Sequence, residues 1–254
     1  MRKFLWATIS VALISMAFVA CDKDDDESNS RKVVDLGLPS GTLWATCNVG
    51  ADNPWDYGDN FAWGETETKA NFGWETYKYC DGTDSTLTKY CNKEECGKDG
   101  YTDKLTALEA ADDAATAYWG SDFFTPTVDD WYELIYQCVW IMTDNYDNHN
   151  VSGFIVYKAK SDDHKGHFIK INDSDRYTDY SLSDAHIFIP SELTISRDLI
   201  DIIGGPLDTD FFNTKYWSSS LFTIDPTCAI IFGSGDMEFS SRGQGFPIRP
   251  ARLK

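Results

Sequence analysis

The segment FFTPTVDDWYELIYQCVW, residues 123–140, is the most specific local pattern in the chain. Thr127 is a preferred helix N-cap residue, and Asp130 lies three residues further on, where a capping box places Glu or Gln. Pro126 and Trp131 occupy the two positions that form a hydrophobic staple around such a cap. At helical spacing one face then carries Val128, Trp131, Ile135 and Cys138. We therefore predict a capped amphipathic helix that begins after Thr127 and carries these four residues.

A second helix is predicted just before it, over residues 105–120, LTALEAADDAATAYWG. Gly120 is a typical residue for the end of such a helix. The apolar residues that share one helical face there are Leu108, Ala111, Ala115 and Tyr118.

Short apolar runs bounded by turn residues predict strands. Two precede the helices, VVDLG at 33–37 and TLWATCNVG at 42–50. The others follow them: GFIVYKAK, GHFIKIN, HIFIP, YWSSSLF, CAIIFGSG, MEFSS and FPIRPARL. Helices that fall early and strands that fall late favour an α+β fold over alternating βαβ units. Since no Pro-, Gly- or Ser-rich linker interrupts residues 32–254, we predict one domain there.

The chain is strongly acidic, with a formal net charge of −19. Binding to nucleic acid or directly to an anionic membrane surface needs a basic face, so both are disfavoured. Neutral glycans, metal cations and basic protein surfaces remain compatible partners.

The first 20 residues have the parts of a secretory signal. Arg2 and Lys3 precede an uncharged run over residues 4–20, which ends at Cys21. The sequence FVAC resembles a bacterial lipobox, which implies cleavage before Cys21 and lipid attachment to that cysteine. Two or more acyl chains hold a protein stably at a bilayer. A buried core helix at 4–20 and a disulfide role for Cys21 are the alternatives.

Residues 21–31 follow as an acidic tether, with DKDDDESNS at 22–30. Such a segment buries little apolar surface and repels itself, so it should be extended. It also resembles the lysine-plus-acids export signal of surface lipoproteins of the Bacteroidota. The chain is therefore expected to be an outer-membrane lipoprotein on the cell surface, with the periplasmic face as the alternative.

Five motifs in the domain resemble, in the same order, the Fibrobacter succinogenes major paralogous domain. They are VDLGLPSGTLWATCNVGA, DYGDNFAWGETE, TPTVDDWYEL, YWSSS and GFPIRPARL. The resemblance implies a single C-type-lectin-like domain, a fold shared with formylglycine-generating enzymes. In that fold the first and last strands pair, here 33–37 with 246–253, and both termini lie on one side. The loops at 144–150, 161–166 and 204–214 would then face away from the membrane.

Six cysteines follow Cys21 in the chain, and in an exported protein disulfides are favoured over zinc sites. The resemblance implies that Cys80 pairs with Cys91. We further expect Cys47 to pair with Cys138, which would join the early strand to the capped helix.

No catalytic residue and no cofactor are predicted. Two Asp-rich stretches, DNYDNHN and NDSDRYTDY, offer oxygen ligands for calcium through Asp144, Asp147, Asp173 and Asp175. Neither stretch matches an EF-hand loop, and we favour solvated loops. Six aromatic residues could stack on sugars but are more typical of a core: Trp55, Tyr57, Trp63, Phe72, Trp74 and Tyr77.

The function expected from this combination is non-catalytic binding of a glycan or a surface protein. The alternatives are a degenerate or unrecognised enzyme of the formylglycine-generating type, and an accessory or tip component of a surface assembly. An exposed ring cluster would favour the first, a buried thiol pair in a cleft the second, and an unpaired sheet edge the third.

Overall fold

The computed structural model describes residues 32–169, 179–194 and 212–254. The predicted signal peptide, the acidic tether, Cys21, Asp173, Asp175 and most of the 204–214 loop lie outside these residues. The described residues form a mixed α+β fold made mostly of short antiparallel strands, as the sequence predicted. No helix in the described ranges is long and apolar enough to cross a membrane.

Two α-helices, α1 (Ala114–Trp119) and α2 (Val128–Gln137), lie in this part of the chain. The strands in chain order are β1 (Val33–Val34), β2 (Thr42–Ala45), β3 (Phe123–Phe124), β4 (Cys138–Thr143), β5 (Gly153–Lys158), β6 (His167–Ile169), β7 (His186–Pro190), β8 (Glu192–Leu193), β9 (Phe212–Asn213), β10 (Lys215–Leu221), β11 (Cys228–Gly233), β12 (Asp236–Ser241) and β13 (Ala251–Leu253).

The predicted cap of α2 is confirmed. The Thr127 hydroxyl accepts a hydrogen bond from the Asp130 N–H at 3.2 Å, and the Asp130 carboxylate accepts one from the Thr127 N–H at 2.9 Å. Together these bonds satisfy two backbone donors that a helix start leaves free. Trp131, Leu134 and Ile135 are then buried against the sheets.

The prediction that Cys138 lies on the apolar face of this helix is wrong, because α2 ends at Gln137 and Cys138 begins β4. This strand lies between β5 and β6, antiparallel to the first and parallel to the second. A strand covered on both faces carries apolar residues at every position, so its pattern does not distinguish it from a buried helical turn.

The first helix is also shorter than predicted. It begins only after Asp113, because the carboxylate of Asp113 accepts hydrogen bonds from the N–H of Ala115 at 2.8 Å and of Thr125 at 2.7 Å. Upstream, Ala107 forms a β-bridge with Ser220 rather than a helical turn.

The described strands form three larger sheets and one small pair. Their orders are β1-β2-β13-β3, β6-β4-β5-β7, β10-β11-β12 and β8-β9. The predicted pairing of the first strand with the last is wrong: β13 pairs with β2 and β3, whereas β1 pairs with the other side of β2. Residues 35–41, with a turn closed by the Gly41 N–H and the Leu38 carbonyl at 3.0 Å, bring β1 back beside β2. Strands β1 and β13 both contact Trp44 of β2, and Lys254 Nζ lies 2.8 Å from the Asp35 carboxylate, so the two ends of the domain lie close together.

Strand β11 lies between the two main hydrophobic clusters. Phe232 belongs to the cluster around Trp131 and Trp140, and Ile231 belongs to the cluster around Trp63. Neighbouring residues of a strand point to opposite faces, so this one strand contributes to both cores.

The guanidinium of Arg242 is fully buried beside β11. It donates to the Tyr77 hydroxyl at 2.9 Å, to the carbonyls of Tyr90 and Pro226 at 2.9 Å each, and to the Lys89 carbonyl at 3.0 Å. Its centre lies 5.0 Å from the ring centroid of Trp63. The buried charge is thus satisfied by carbonyls, a hydroxyl and aromatic faces.

Replacing Arg242 with Met should lower the free energy of unfolding by at least about 3 kcal/mol, because each unpaired buried acceptor costs about 1–3 kcal/mol. Urea denaturation of the purified chain measures this change. Lys98→Met is the control, since Lys98 forms only an exposed ion pair with Asp81 at 2.7 Å and its loss should leave the midpoint unchanged. Equal midpoints for both variants would show that the Arg242 network contributes no net stability.

Candidate functional site

A pocket of about 260 Å³ opens where four segments of the chain meet. The loop after β2, the end of β7 with the start of β8, the β9–β10 connection and the loop before β13 each contribute to it. Its lining residues are Tyr57, Asn60, Pro190, Ser191, Glu192, Asn213, Lys215, Tyr216, Gly245, Phe246 and Pro247.

Backbone pairing brings these segments together. Glu192 lies opposite Asn213 in the β8–β9 pair, which forms one wall. Phe246 on another wall is held by two backbone hydrogen bonds with Phe61, at 3.0 and 3.1 Å. The Ser152 hydroxyl also donates to the Ser191 carbonyl at 2.6 Å. Since Ser191 directly precedes β8 and Ser152 directly precedes β5, this bond holds the β8 wall against β5.

Tyr216 forms the floor of the pocket and is 1% exposed. Its hydroxyl donates to the Pro190 carbonyl at 3.0 Å and accepts from the Asn48 amide at 3.0 Å. Burial raises the pKa of Tyr216, against the opposing effect of the nearby Arg249 charge. The floor is therefore a neutral ring whose hydroxyl is already paired with protein groups.

Tyr57 lies at the rim and is 42% exposed. Burial of its hydroxyl, and then the negative charge of Glu192, raise the pKa of Tyr57 to about 12. The phenol accordingly keeps its proton at neutral pH and stays a hydrogen-bond donor. The Asn48 amide donates to the Tyr57 carbonyl at 2.8 Å, so one buried side chain positions both the rim and the floor.

The remaining lining groups are polar side chains beside a second ring. Lys215 Nζ lies 5.6 Å from the ring centroid of Phe246. Glu192, Asn213 and Asn60 are exposed at the mouth. An aromatic face together with amide, carboxylate and ammonium groups can stack on and hydrogen-bond a small polar organic molecule.

Most of the six aromatic residues considered from the sequence belong to the core, as expected. Trp63 and Tyr77 are buried in the cluster described above, and Phe72 and Trp74 pack against it. Trp55 stacks on His149 with ring centroids 3.5 Å apart. Of the six, Tyr57 lines the pocket.

The cysteines of the described residues lie away from the pocket lining. Cys80 and Cys96 both pack against the hydrophobic cluster that contains Cys91, so both candidate partners of Cys91 lie in one region and the Cys80–Cys91 pair stays a prediction. Cys47 and Cys138 are both buried but belong to different clusters, and their pairing stays a prediction. Burial raises the pKa of the Cys138 thiol to about 12 and also raises that of Cys228. A protonated buried thiol is a poor nucleophile.

Two of the four calcium candidates lie in the part of the chain that the structure describes. Asp144 and Asp147 lie in the loop after β4, where Asp147 is exposed. In residues 32–169, 179–194 and 212–254, no group of three or more His, Cys, Asp or Glu side chains is placed to hold a metal ion. The remaining candidates, Asp173 and Asp175, fall outside those ranges.

Apart from Tyr57, the pocket residues were not singled out from the sequence. Glu192, Asn213 and Lys215 are single polar residues at strand ends, and they become neighbours only through the pairing of strands distant in sequence.

Comparisons with protein-family models, with curated proteins and with solved structures find no match to this chain.

Disulfide mapping tests the predicted cysteine pairing. Protein prepared under oxidising conditions and digested without reduction should yield Cys80 joined to Cys91, a cross-link that contributes about 3 kcal/mol for a loop of about 15 residues. Mass spectrometry of the peptides identifies the bond. Recovery of Cys91 joined to Cys96 would contradict the prediction, and a reduced digest is the control.

Proposed function

We propose that this protein is a lipid-anchored lipoprotein of the cell surface whose C-type-lectin-like domain binds a neutral glycan without catalysis. The observation that carries the proposal is the pocket between Tyr57 and Phe246. It combines two aromatic side chains with exposed amides, as sugar recognition requires: apolar ring faces for the C–H face of a sugar and polar groups for its hydroxyls.

The charge balance of the pocket favours a neutral ligand. Glu192 and Lys215 contribute one negative and one positive group at the mouth. The whole chain carries a net charge of −19, which repels anionic ligands at long range. A volume of about 260 Å³ suits a single sugar unit, with further units leaving through the open mouth.

The thiols offer less support for the alternative of a formylglycine-generating type of enzyme. A reactive thiol is accessible and has a lowered pKa. Here burial raises the pKa of Cys47, Cys91 and Cys228, and none of the three lines the pocket.

The proposed membrane anchor and the proposed localisation are both inferred from the N-terminal residues. The uncharged run at 4–20, the FVAC sequence and the acidic residues that follow support a lipoprotein exported to the surface. The lectin-like assignment rests on the five motifs shared with the family named above.

Binding is tested with the full-length chain in detergent on an array of neutral and anionic glycans, followed by calorimetry on the strongest ligand. Phe246→Ala should weaken binding at least tenfold, because it removes the ring that forms one wall. Tyr136→Ala is the matched control, since this α2 ring is 59% exposed and lies outside the pocket. An equal loss in both variants, or the absence of any glycan ligand, would exclude the pocket as a glycan site.

Cys21→Ala should abolish incorporation of labelled palmitate in cells, because the substitution removes the sulfur and the cleavage site. Cys96→Ala is the control and should keep the label, since Cys96 packs against the domain core. Persistent labelling of the Cys21 variant would contradict the anchor.

A further inference from the structure

Strand β12 lies at one edge of the β10-β11-β12 sheet in the described residues. Its six residues pair with β11 in a continuous register without a bulge. It also contains no proline or lysine, two features that natural edge strands use to prevent pairing with other chains. The edge is therefore long and regular enough to accept another strand.

The hairpin geometry fixes which backbone groups face outward. Gly233 and Asp236 close a two-residue turn whose residues Ser234 and Gly235 both have positive φ, 46° and 101°. The closing pair of such a turn is hydrogen-bonded, and bonded pairs then alternate along the ladder. The Arg242 N–H donates to the Thr227 carbonyl at 3.0 Å, which continues the same alternation beyond the strand.

Accordingly, the odd-numbered residues of β12 direct their backbone N–H and C=O away from β11. The Met237 N–H is held by the Asp236 carboxylate at 2.7 Å, and the Ser241 carbonyl accepts from the Gln244 N–H at 3.0 Å. Phe239, between them, presents its N–H and C=O at the centre of the open edge.

One face of this edge is apolar. Phe239 is 58% exposed and stacks on Phe222 with ring centroids 4.4 Å apart. Ile224, in the turn that follows β10, is 71% exposed. On the same face of β12, Met237 packs against the core cluster that contains Trp131. An added strand would cover Phe239 with its own apolar side chains.

The other face of β12 is acidic. Asp236 and Glu238 alternate with Met237 and Phe239, and both carboxylates are exposed. Pairing with a second copy of β12 would bring like charges together across the strands, which is destabilising. The segment of this chain at 195–211 is also a poor match, because it contains four Asp residues and one Arg. Charge complementarity instead favours a basic partner.

We propose that the open edge of β12 binds an extended segment of another protein in which apolar residues alternate with lysine or arginine. The backbone of Phe239 supplies hydrogen bonds to the added strand. Its ring covers the apolar side chains of that strand, and Asp236 and Glu238 pair with the basic ones. This surface is separate from the pocket and does not depend on the glycan proposal.

The test uses the full-length chain in detergent and an acetylated, amidated peptide of alternating Lys and Val, KVKVKVK. We expect this peptide to bind and to slow hydrogen exchange of the Phe239 amide. A peptide of identical composition in block order, KKKKVVV, is the control for non-specific attraction to the acidic chain and should bind at least tenfold more weakly. The acidic peptide EVEVEVE should not bind.

Two variants identify the surface. Phe239→Lys should weaken binding of KVKVKVK at least tenfold. Glu238→Lys should weaken binding of KVKVKVK and strengthen binding of EVEVEVE. Tyr136→Lys, at an exposed ring on α2, is the matched control and should change the binding of neither peptide.

The proposal is overturned if the block peptide binds as well as the alternating one, or if hydrogen exchange slows elsewhere than in β12. Concentration-dependent dimerisation that Phe239→Lys abolishes would assign the edge to a second copy. Peptide binding that appears only after deletion of 195–211 would assign it to that segment.

Discussion

The buried guanidinium of Arg242 is the constraint on which much of the structure depends. A fully buried cation without a carboxylate partner is costly unless most of its N–H groups meet acceptors. Those acceptors come from Tyr77, Lys89, Tyr90 and Pro226, in segments far apart in sequence. The backbone of Arg242 adds to this, since its carbonyl accepts from the Trp63 N–H at 3.0 Å. The long loops between β2 and α1 have little regular structure of their own, so this network supplies order that strand or helix bonds supply elsewhere.

A second buried arginine, Arg249, lies at the other end of the closing segment, and there the two terminal nitrogens are bonded whereas the buried Nε has no hydrogen-bond partner. Arg249 donates to the carbonyls of Ala45 at 3.0 Å and Phe188 at 2.7 Å, which joins β2 to β7. Burial lowers the pKa of Arg249, a sign of how far the charge is removed from water. Residues 245–247, which form a wall of the pocket, lie between these two fixed points. Phe246 is therefore positioned by the same interactions that hold the sheets together, and little ordering cost remains for ligand binding.

Local chemistry determined which parts of the fold could be predicted. Thr127 and Asp130 specify the start of α2 by themselves, and the turn-bounded apolar runs located most strands. Strand β4 was missed because a fully buried strand has no alternation to reveal it. The start of α1 was missed because Asp113 is held by Thr125, a partner whose position depends on the fold. The pocket was beyond prediction for the same reason, as its residues meet only after β8 pairs with β9 and Phe61 pairs with Phe246.

The three-stranded sheet relates the two proposed binding surfaces. In its register Tyr216 lies opposite Phe232, and Phe232 lies opposite Met237. One row of side chains thus crosses the sheet, from Tyr216 at the floor of the pocket through Phe232 in the core to Met237 in the open edge strand. Phe232 stacks on Trp131 with ring centroids 4.7 Å apart, so the middle of this row is fixed by α2. Because the pocket and the edge lie on opposite sides of this packed centre, the two proposed ligands would not compete for the same residues.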